Sequence, residues 1–371
     1  MNATQRNATQ LNSTQLNSTQ LNSTPPRLSV VIPVYNVEQY LPETIDSITT
    51  QDFDDFEAIF VDDASPDSCP ALLDLSQEKY PNKIRIIHLK ENRGTHFARK
   101  CGVLAARGDF LTFLDGDDYF LPNAFSTMIA AMQKNPADIL RFNIRFETAQ
   151  DKNYSDDYLQ SYWNVDFPPI FESPNILKYF VLDYVATGKP AFSQIVGALY
   201  PTRLVQESFE QTSDQRIVVS EDFYELLTLS HFAKSLKKCA QPVYCYRLGS
   251  GISFKKISPS KIEAQLISAK NMQKAFEEFP LHPLVANFVR EHHQNFLRHN
   301  AQLWLAYWDI KLPTSRAEKV GNLVLFPWRK LRFIVSRIEA NPLGKILMKP
   351  ARFVWRVFYK TAQATYRFLR K

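Results

Sequence analysis

Cysteine is scarce in this chain. Only Cys69, Cys101, Cys239 and Cys245 occur in 371 residues, and no two stand at CxxC spacing. This speaks against a zinc knuckle or a disulfide framework, and a reduced, intracellular chain is the simplest account. The seven histidines make no HxxxH or HExxH pattern, so the common hydrolytic metal motifs are missing. His292, His293 and His299 fit one helix, most simply as a solvated face. No apolar run approaches the roughly 18 residues that a membrane-spanning helix needs. The N-terminus lacks a basic-then-apolar signal peptide. No GxGxxG follows the first apolar run and no GxxxxGK[ST] occurs, so dinucleotide redox chemistry and P-loop hydrolysis lose support.

What is present is ordinary in bulk and uneven in detail. Hydrophobic residues make up 45% and charged residues 22%, a globular composition. The length suffices for a substantial core and for two domains. The formal net charge is +6, yet from Arg316 to Lys371 there are 14 Lys/Arg against only Glu318 and Glu339. A slightly acidic body therefore carries a strongly basic tail, and the charge concerns the partner of the tail.

Residues 2–26 are a five-residue repeat that begins Asn-Ala-Thr-Gln-Arg and runs through Asn-Ser-Thr-Gln-Leu to Asn-Ser-Thr-Pro-Pro. Its few apolar residues, Leu11, Leu16 and Leu21, cannot bury a core, so residues 1–26 read as a disordered leader. The Asn-x-Thr triplets within it are glycosylation acceptors only in a secretory setting. The near-identity of the units suggests repeated DNA, and we read the tract as phase-variable, its copy number switching expression.

Past Arg27, strands and helices alternate. Leu28–Asn36 reads as a buried strand ending in Pro33, Tyr35 and Asn36. A helix with Leu41, Ile45 and Ile48 on one face follows, then a strand Phe56–Val61 ending in Asp62 and Asp63. Asp67 and Ser68 are N-cap choices for a helix carrying Leu72, Leu73 and Leu75. A strand Ile84–Leu89 leads to a helix with Phe97, Cys101 and Leu104 on one face, stopped by Gly108 as a C-cap glycine. The run Phe110–Leu114 is a strand buried on both faces, and three carboxylates, Asp115, Asp117 and Asp118, crowd its end. Folding does not ask for three acids there, because they repel and resist desolvation. An extended chain would point Asp115 and Asp117 the same way, toward one Mg²⁺ or Mn²⁺ shared with a diphosphate. Alternation of this kind gives a parallel sheet with helices on both faces, with ligands beyond the carboxyl ends of its strands.

Further along, 123–134 reads as a helix and Ala137–Phe146 as a strand. Residues 150–172 are an acceptor loop or a linker, 176–182 a helix, and Ile195–Tyr200 a strand or bend. Glu221-Asp222 opens a helix, where acids suit the dipole. Arg247, beside Gly249 and Gly251, suits a flexible loop that brings a cation to phosphate. Residues 260–308 look helical. The tail interleaves Trp328, Phe333, Trp355 and Phe358 with Lys/Arg, which describes an interfacial helix on an anionic membrane, a nucleic-acid binder or a helix docked on a partner. The domains are thus a leader (1–26), an α/β domain (27–255), an accessory helical region (256–315) and a basic amphipathic tail (316–371).

Four stretches in order, Val-Val-Ile-Pro-Val-Tyr-Asn36, Val61-Asp-Asp-Ala-Ser-Pro-Asp67, Asn92-Arg-Gly with Ala98-Arg99, and Gly108–Asp118, resemble glycosyltransferase family 2. The resemblance spans residues 28–253. It implies the α/β GT-A fold, a Rossmann-like, mostly parallel sheet with flanking helices, here with a C-terminal helical extension. It also implies inverting transfer of a sugar from a nucleotide-diphosphate donor with Mn²⁺ or Mg²⁺. By the likeness, Pro33 and Tyr35 flank the base, with Tyr35 stacking on it, and Asp63 bonds the base edge. Asp115 and Asp117 would hold ribose and metal–diphosphate, Arg93 and Arg247 would contact the donor, and Asp222 would be the catalytic base. Asp62 is a weaker carry-over. Lys100 stands where many relatives have Asn, and Ser220 where they have Gly.

The expected activity is metal-dependent transfer of a hexose, UDP-linked by likeness, to a hydroxyl of a growing surface glycan such as lipooligosaccharide or capsule. The expected partners are the nucleotide sugar, a glycan or glycolipid acceptor and an anionic membrane surface met by the tail, with no nucleic acid. The expected place is peripheral, on the cytoplasmic face of the membrane. The opposing reading is a nucleotide-sugar-binding scaffold without turnover, and a third is a nucleic-acid binder.

Overall fold

Seven consecutive buried residues form β1 (Leu28–Val34), an inner strand of the sheet. Valine and isoleucine suit a position covered on both faces. The computed structural model describes residues 25–148, 171–172, 194–218, 221–248 and 259–279. The repeat through residue 24, the acidic-aromatic stretch apart from Phe171 and Glu172, the helix expected over 176–182 and the basic tail lie outside them. So does the second of the chain's two contact units, 301–371.

The elements follow the expected alternation. After β1 come α1 (Leu41–Thr49), β2 (Phe56–Asp62), α2 (Cys69–Lys79), β3 (Ile84–His88), α3 (Thr95–Ala105) and β4 (Phe110–Phe113). Next are β5 (Tyr119–Phe120), α4 (Ala124–Lys134), β6 (Ile139–Thr148) and β7 (Phe171–Glu172). The described residues end with β8 (Ala198–Pro201), α5 (Thr202–Glu210), α6 (Glu221–Phe232), β9 (Ser235–Leu248) and α7 (Pro259–Glu278). The sheet order is β3-β2-β1-β4-β8-β6-β9-β5, with β7 paired to β9. β3, β2, β1 and β4 are parallel to one another, β8 runs antiparallel between β4 and β6, and β6 and β9 are parallel. The stretch left as strand or bend over Ile195–Tyr200 is thus a strand at its C-terminal end, entered through Gly197 at φ +67°. No described helix is long and apolar enough to cross a membrane.

Pro33 is tolerated inside β1 for a definite reason. The Val31 carbonyl accepts from Leu114 N at 3.1 Å, and Pro33, two residues on, faces the same edge. The β1–β4 ladder ends at the Val31–Phe113 pair, so the missing N–H of proline falls beyond it.

Two expectations are corrected, and a third gains its orientation. The helical periodicity of α3 holds, but its most buried face is His96, Arg99, Lys100 and Val103, while Phe97, Cys101 and Leu104 are only half-buried. Gly108 does not cap that helix, which ends at Ala105 with an extended Ala106. A Cβ on Gly108 would lie 2.7 Å from Ser29 N, so close approach to β1 is what requires glycine there. The acids after β4 are not on an extended strand. Asp118 N donates to Asp115 O at 3.0 Å and closes a turn, whose Gly116 packs against the carbonyl of Pro33.

Candidate active site

The carboxyl ends of β1, β2 and β4 bring Tyr35, Asp63 and Asp115 to one edge of the sheet, as parallel α/β topology dictates. Tyr35 follows β1 directly and is 37% exposed, so its ring is available at the mouth of the site. Pro33 is held within β1. Asp63 is almost fully buried. Its two carboxylate oxygens accept from Arg93 N at 2.6 Å and Gly94 N at 2.8 Å, the entry to α3. Burial pushes this carboxyl up, and the two N–H donors offset part of that. Gly94 sits at φ +87°, and a Cβ there would also strike Val218. Asp62 turns away, to Ser65 N at 3.0 Å and His88 Nδ1 at 3.0 Å. The Arg93 guanidinium lies over the Phe97 ring and donates to Asp214 O at 3.0 Å.

The three acids after β4 divide into two kinds. Asp118 is buried and points into the fold, accepting from Tyr244 Oη at 2.6 Å and Arg247 N at 2.8 Å. Burial, then the charges of Asp117 and Asp115, hold it well above the usual carboxylate range. It pins β9 against the turn. Asp115 and Asp117 remain half-exposed on the site side.

Arg247 lies in β9, not in a loop. Its guanidinium donates to Asp117 O at 3.0 Å and Glu147 at 3.2 Å, pairs with Glu43, and covers the rings of Tyr119 and Tyr40. The long parallel pairing of β6 and β9 carries it into this position.

Asp222 occupies the first turn of α6 with a side chain 25% exposed. Burial pushes its carboxyl upward; Arg99 opposes the shift, and Asp115 and Glu225 add to it. Glu221 beside it is also raised, by burial and then by Asp222. The two halves of the site meet on Arg99, a residue that sequence reading noticed only as part of a motif. Its guanidinium is 1% exposed and donates to Asp222 at 2.5 Å, Glu225 at 2.8 Å and Asp115 at 2.7 Å.

Two neighbours of Arg99 on α3 engage the segment before α6. His96 places Nδ1 2.9 Å from Glu225 and Nε2 3.1 Å from Ser213 O. Lys100, the departure from the family pattern, donates to Thr212 O at 2.6 Å and Asp214 at 2.7 Å. Arg216 returns the contact to Asn92 at 2.7 Å. The signal for these residues was spacing: His96, Arg99 and Lys100 stand at i, i+3, i+4, and Glu225 is one turn beyond Asp222.

Among the described residues no group of three or more His, Cys, Asp or Glu is arranged to hold a metal. Asp115 and Asp117 therefore suit Mg²⁺ or Mn²⁺ only as a carboxylate pair completed by diphosphate oxygens and water, which is a usual Mg²⁺ arrangement. The four cysteines are free thiols.

Residues 29–194 match the model of the family described as Glycosyl transferase family 2. Among curated relatives, the chain is 28% identical over 234 residues to an uncharacterized glycosyltransferase, EpsJ, of Bacillus subtilis, covering 60% of this chain and 61% of that one. It is 31% identical over 127 residues to glycosyltransferase GlyG of Streptococcus pneumoniae, 34% and 42% of the respective chains. It is 39% identical over 105 residues to the minor teichoic acid biosynthesis protein GgaA of Bacillus subtilis, 27% and 23%. The chain thus spans less than two thirds of the length of these relatives. Among solved structures, S. aureus TarS 1-349 in complex with UDP-GlcNAc matches with TM-score 0.52 at 20% identity, over 92% of this chain and 91% of that one. That likeness speaks to the fold, which is the α/β GT-A fold.

Proposed function

Because this chain carries a glycosyltransferase family 2 domain over residues 29–194, we propose that it transfers a hexose from a nucleotide-diphosphate sugar, UDP-linked, to a hydroxyl of a growing surface glycan. The observation that carries the reading is the Arg99 bridge, which ties the donor-side Asp115 to Asp222 at the mouth of the same site. A relative named for teichoic acid biosynthesis and a fold neighbour solved with UDP-GlcNAc agree in substrate class.

In this reading Asp222 is the general base. The acceptor oxygen attacks the anomeric carbon, the bond from that carbon to the diphosphate oxygen breaks, and the acceptor proton passes to Asp222. Configuration inverts because attack and departure lie on opposite faces of the sugar. Burial that raises the Asp222 carboxyl fits this task, since a base works best when its pKa approaches the working pH. Arg99 takes one oxygen of Asp222 and leaves the other to face the acceptor. Tyr35 stacks on the base of the nucleotide, with Pro33 beneath it and the loop organised by Asp63, Arg93 and Gly94 beside it. Asp115 and Asp117 would hold Mn²⁺ or Mg²⁺, which offsets charge on the departing diphosphate. Arg247 braces the Asp117 turn against β9. The basic tail would rest on an anionic membrane at the cytoplasmic face, near a lipid-borne acceptor of lipooligosaccharide or capsule type.

Thermal shift of the full chain against nucleotide diphosphates and nucleotide sugars, with and without Mn²⁺, tests the donor half, because a ligand selective for the folded state raises Tm. A metal-dependent rise with uridine nucleotides alone supports the proposal. No rise with any nucleotide removes it, and a rise without any transfer leaves the non-catalytic scaffold.

A further inference from the structure

His96 and Glu225 form a fully buried pair behind the site, and the transfer chemistry above does not use them. Both side chains are 0% exposed. Burying a carboxyl and an imidazole at such depth is costly unless both find hydrogen-bond partners, so the pair needs a reason. Three contacts give one. Glu225 Oε2 accepts from Arg99 Nη1 at 2.8 Å, the nitrogen that also holds Asp222 at 2.5 Å. Glu225 Oε1 meets His96 Nδ1 at 2.9 Å, and the far nitrogen of His96 meets Ser213 O at 3.1 Å. Ser213 N in turn donates to Tyr224 Oη at 2.9 Å, on the base helix itself.

We propose that His96 and Glu225 are positioning residues for the transfer step: they fix the Arg99 guanidinium from behind so that its front edge holds Asp115 and Asp222 at one spacing. The inference deepens the glycosyltransferase reading and rests on it. The geometry is closed. Asp222 and Glu225 are one helical turn apart on α6, so a planar guanidinium can engage both only in a narrow range of orientations. Glu225 fixes that orientation, and the His96 ring fixes Glu225. The ring is itself held by Ser213 O, stacked on Phe209 with centroids 5.9 Å apart and met edge-on by Tyr224 at 5.2 Å. Loss of this brace would leave Arg99 attached to Asp222 with its plane free to tilt. A misplacement of about 1 Å costs on the order of 10²-fold in turnover.

The test compares His96→Asn with His96→Gln in the full chain. The amide nitrogen of Asn falls near the position of Nδ1 and keeps a donor for Glu225; that of Gln falls near Nε2 and keeps a donor for Ser213 O. Turnover, donor KM, UDP affinity by calorimetry and Tm are measured for both. The brace predicts that His96→Asn retains roughly tenfold more kcat than His96→Gln at similar Tm, with UDP affinity for both within about twofold of the wild type. Glu225→Gln, which keeps shape and loses charge, should lower kcat and not donor affinity. Equal kcat for the two His96 variants, or the reverse order, overturns the proposal, because an anchor for the Ser213 turn alone would favour Gln. Failure of Glu225→Gln to fold leaves the His96 pair decisive. Wild-type chain that binds UDP and turns nothing over would remove the parent reading, and the wild-type control separates that outcome from failure of the brace.

Discussion

Arg99 Nη1 stands 2.5 Å from a carboxylate oxygen of Asp222, although 123 positions separate them in sequence. The contact joins α3, which follows the loop held by Asp63, to the first turn of α6. Arg99 thereby couples the half of the domain that would bind the donor to the residue that would receive a proton. Few side chains other than a guanidinium can serve three carboxylates at once, because its five donors fan out in a plane.

Arg99→Lys should therefore be far from conservative. A lysine is a point charge on a flexible stem and cannot hold Asp115 and Asp222 in a fixed relation. We expect turnover to fall by roughly 10²-fold, with a smaller change in donor affinity. Steady-state kinetics beside calorimetric titration with UDP would check it. Equal losses in kcat/KM and in affinity would make Arg99 a binding residue only.

Asp222→Asn should remove transfer while raising stability at alkaline pH. Loss of a general base costs roughly 10²- to 10⁴-fold. The sign of the stability effect follows from the shift. Burial raises the folded carboxyl above its unfolded value, so the native state binds more protons and stability falls as pH rises from about 4 through the folded value. Asn carries no charge to bury. The Tm of Asp222→Asn should exceed that of the wild type at pH 8 and approach it near pH 4; a Tm below the wild type at both would contradict this sign.

Much of this organisation is legible in the sequence, and the rest fails for identifiable reasons. Apolar runs ending in Tyr35, Asp62-Asp63 and Asp115 read correctly as strand ends, because a buried strand stops being apolar where it reaches the open edge of the sheet. The period of α3 was also readable. Its orientation was not, because Phe97 and Cys101 are apolar yet only half-buried, whereas His96, Arg99 and Lys100 are inward and paired across the chain. Charge compensation between residues over a hundred positions apart leaves no local pattern. Lys100 shows the point. As a substitution it had no meaning in the sequence, and in the fold its ammonium closes the turn through Thr212 O and Asp214. Asp118 was grouped with the site acids by adjacency, and the turn that Gly116 permits sends it inward.

His88 should make stability pH-dependent near neutrality. Asp62, with a smaller contribution from Asp74, raises its pKa above the ordinary value against the opposing effect of burial. A raised folded value means that the stabilisation is fully present below about pH 6.5, the unfolded value, and is lost as pH rises through the folded one. The ring is one-third exposed, so solvent screening holds the effect to about 1 kcal/mol or less. His88→Gln should lower Tm at pH 6 more than at pH 9. A pH-independent loss would assign His88 to packing alone.

Tyr244→Phe should destabilise the fold and disturb the site together. The Tyr244 hydroxyl donates to Asp118 at 2.6 Å and accepts from Asp115 N at 3.3 Å. Removing it strips a donor from a buried carboxyl that burial already holds well above its usual range, and leaving a buried polar group unsatisfied costs roughly 1–3 kcal/mol. The surrounding volume barely changes, so a cavity adds little. The double variant Tyr244→Phe, Asp118→Asn should lose less than the sum of the two single losses, because the singles break the same hydrogen bond. Urea unfolding of the two singles and the double would measure the coupling. Simple additivity would mean that the hydroxyl acts on Asp115 and the backbone, and not through Asp118.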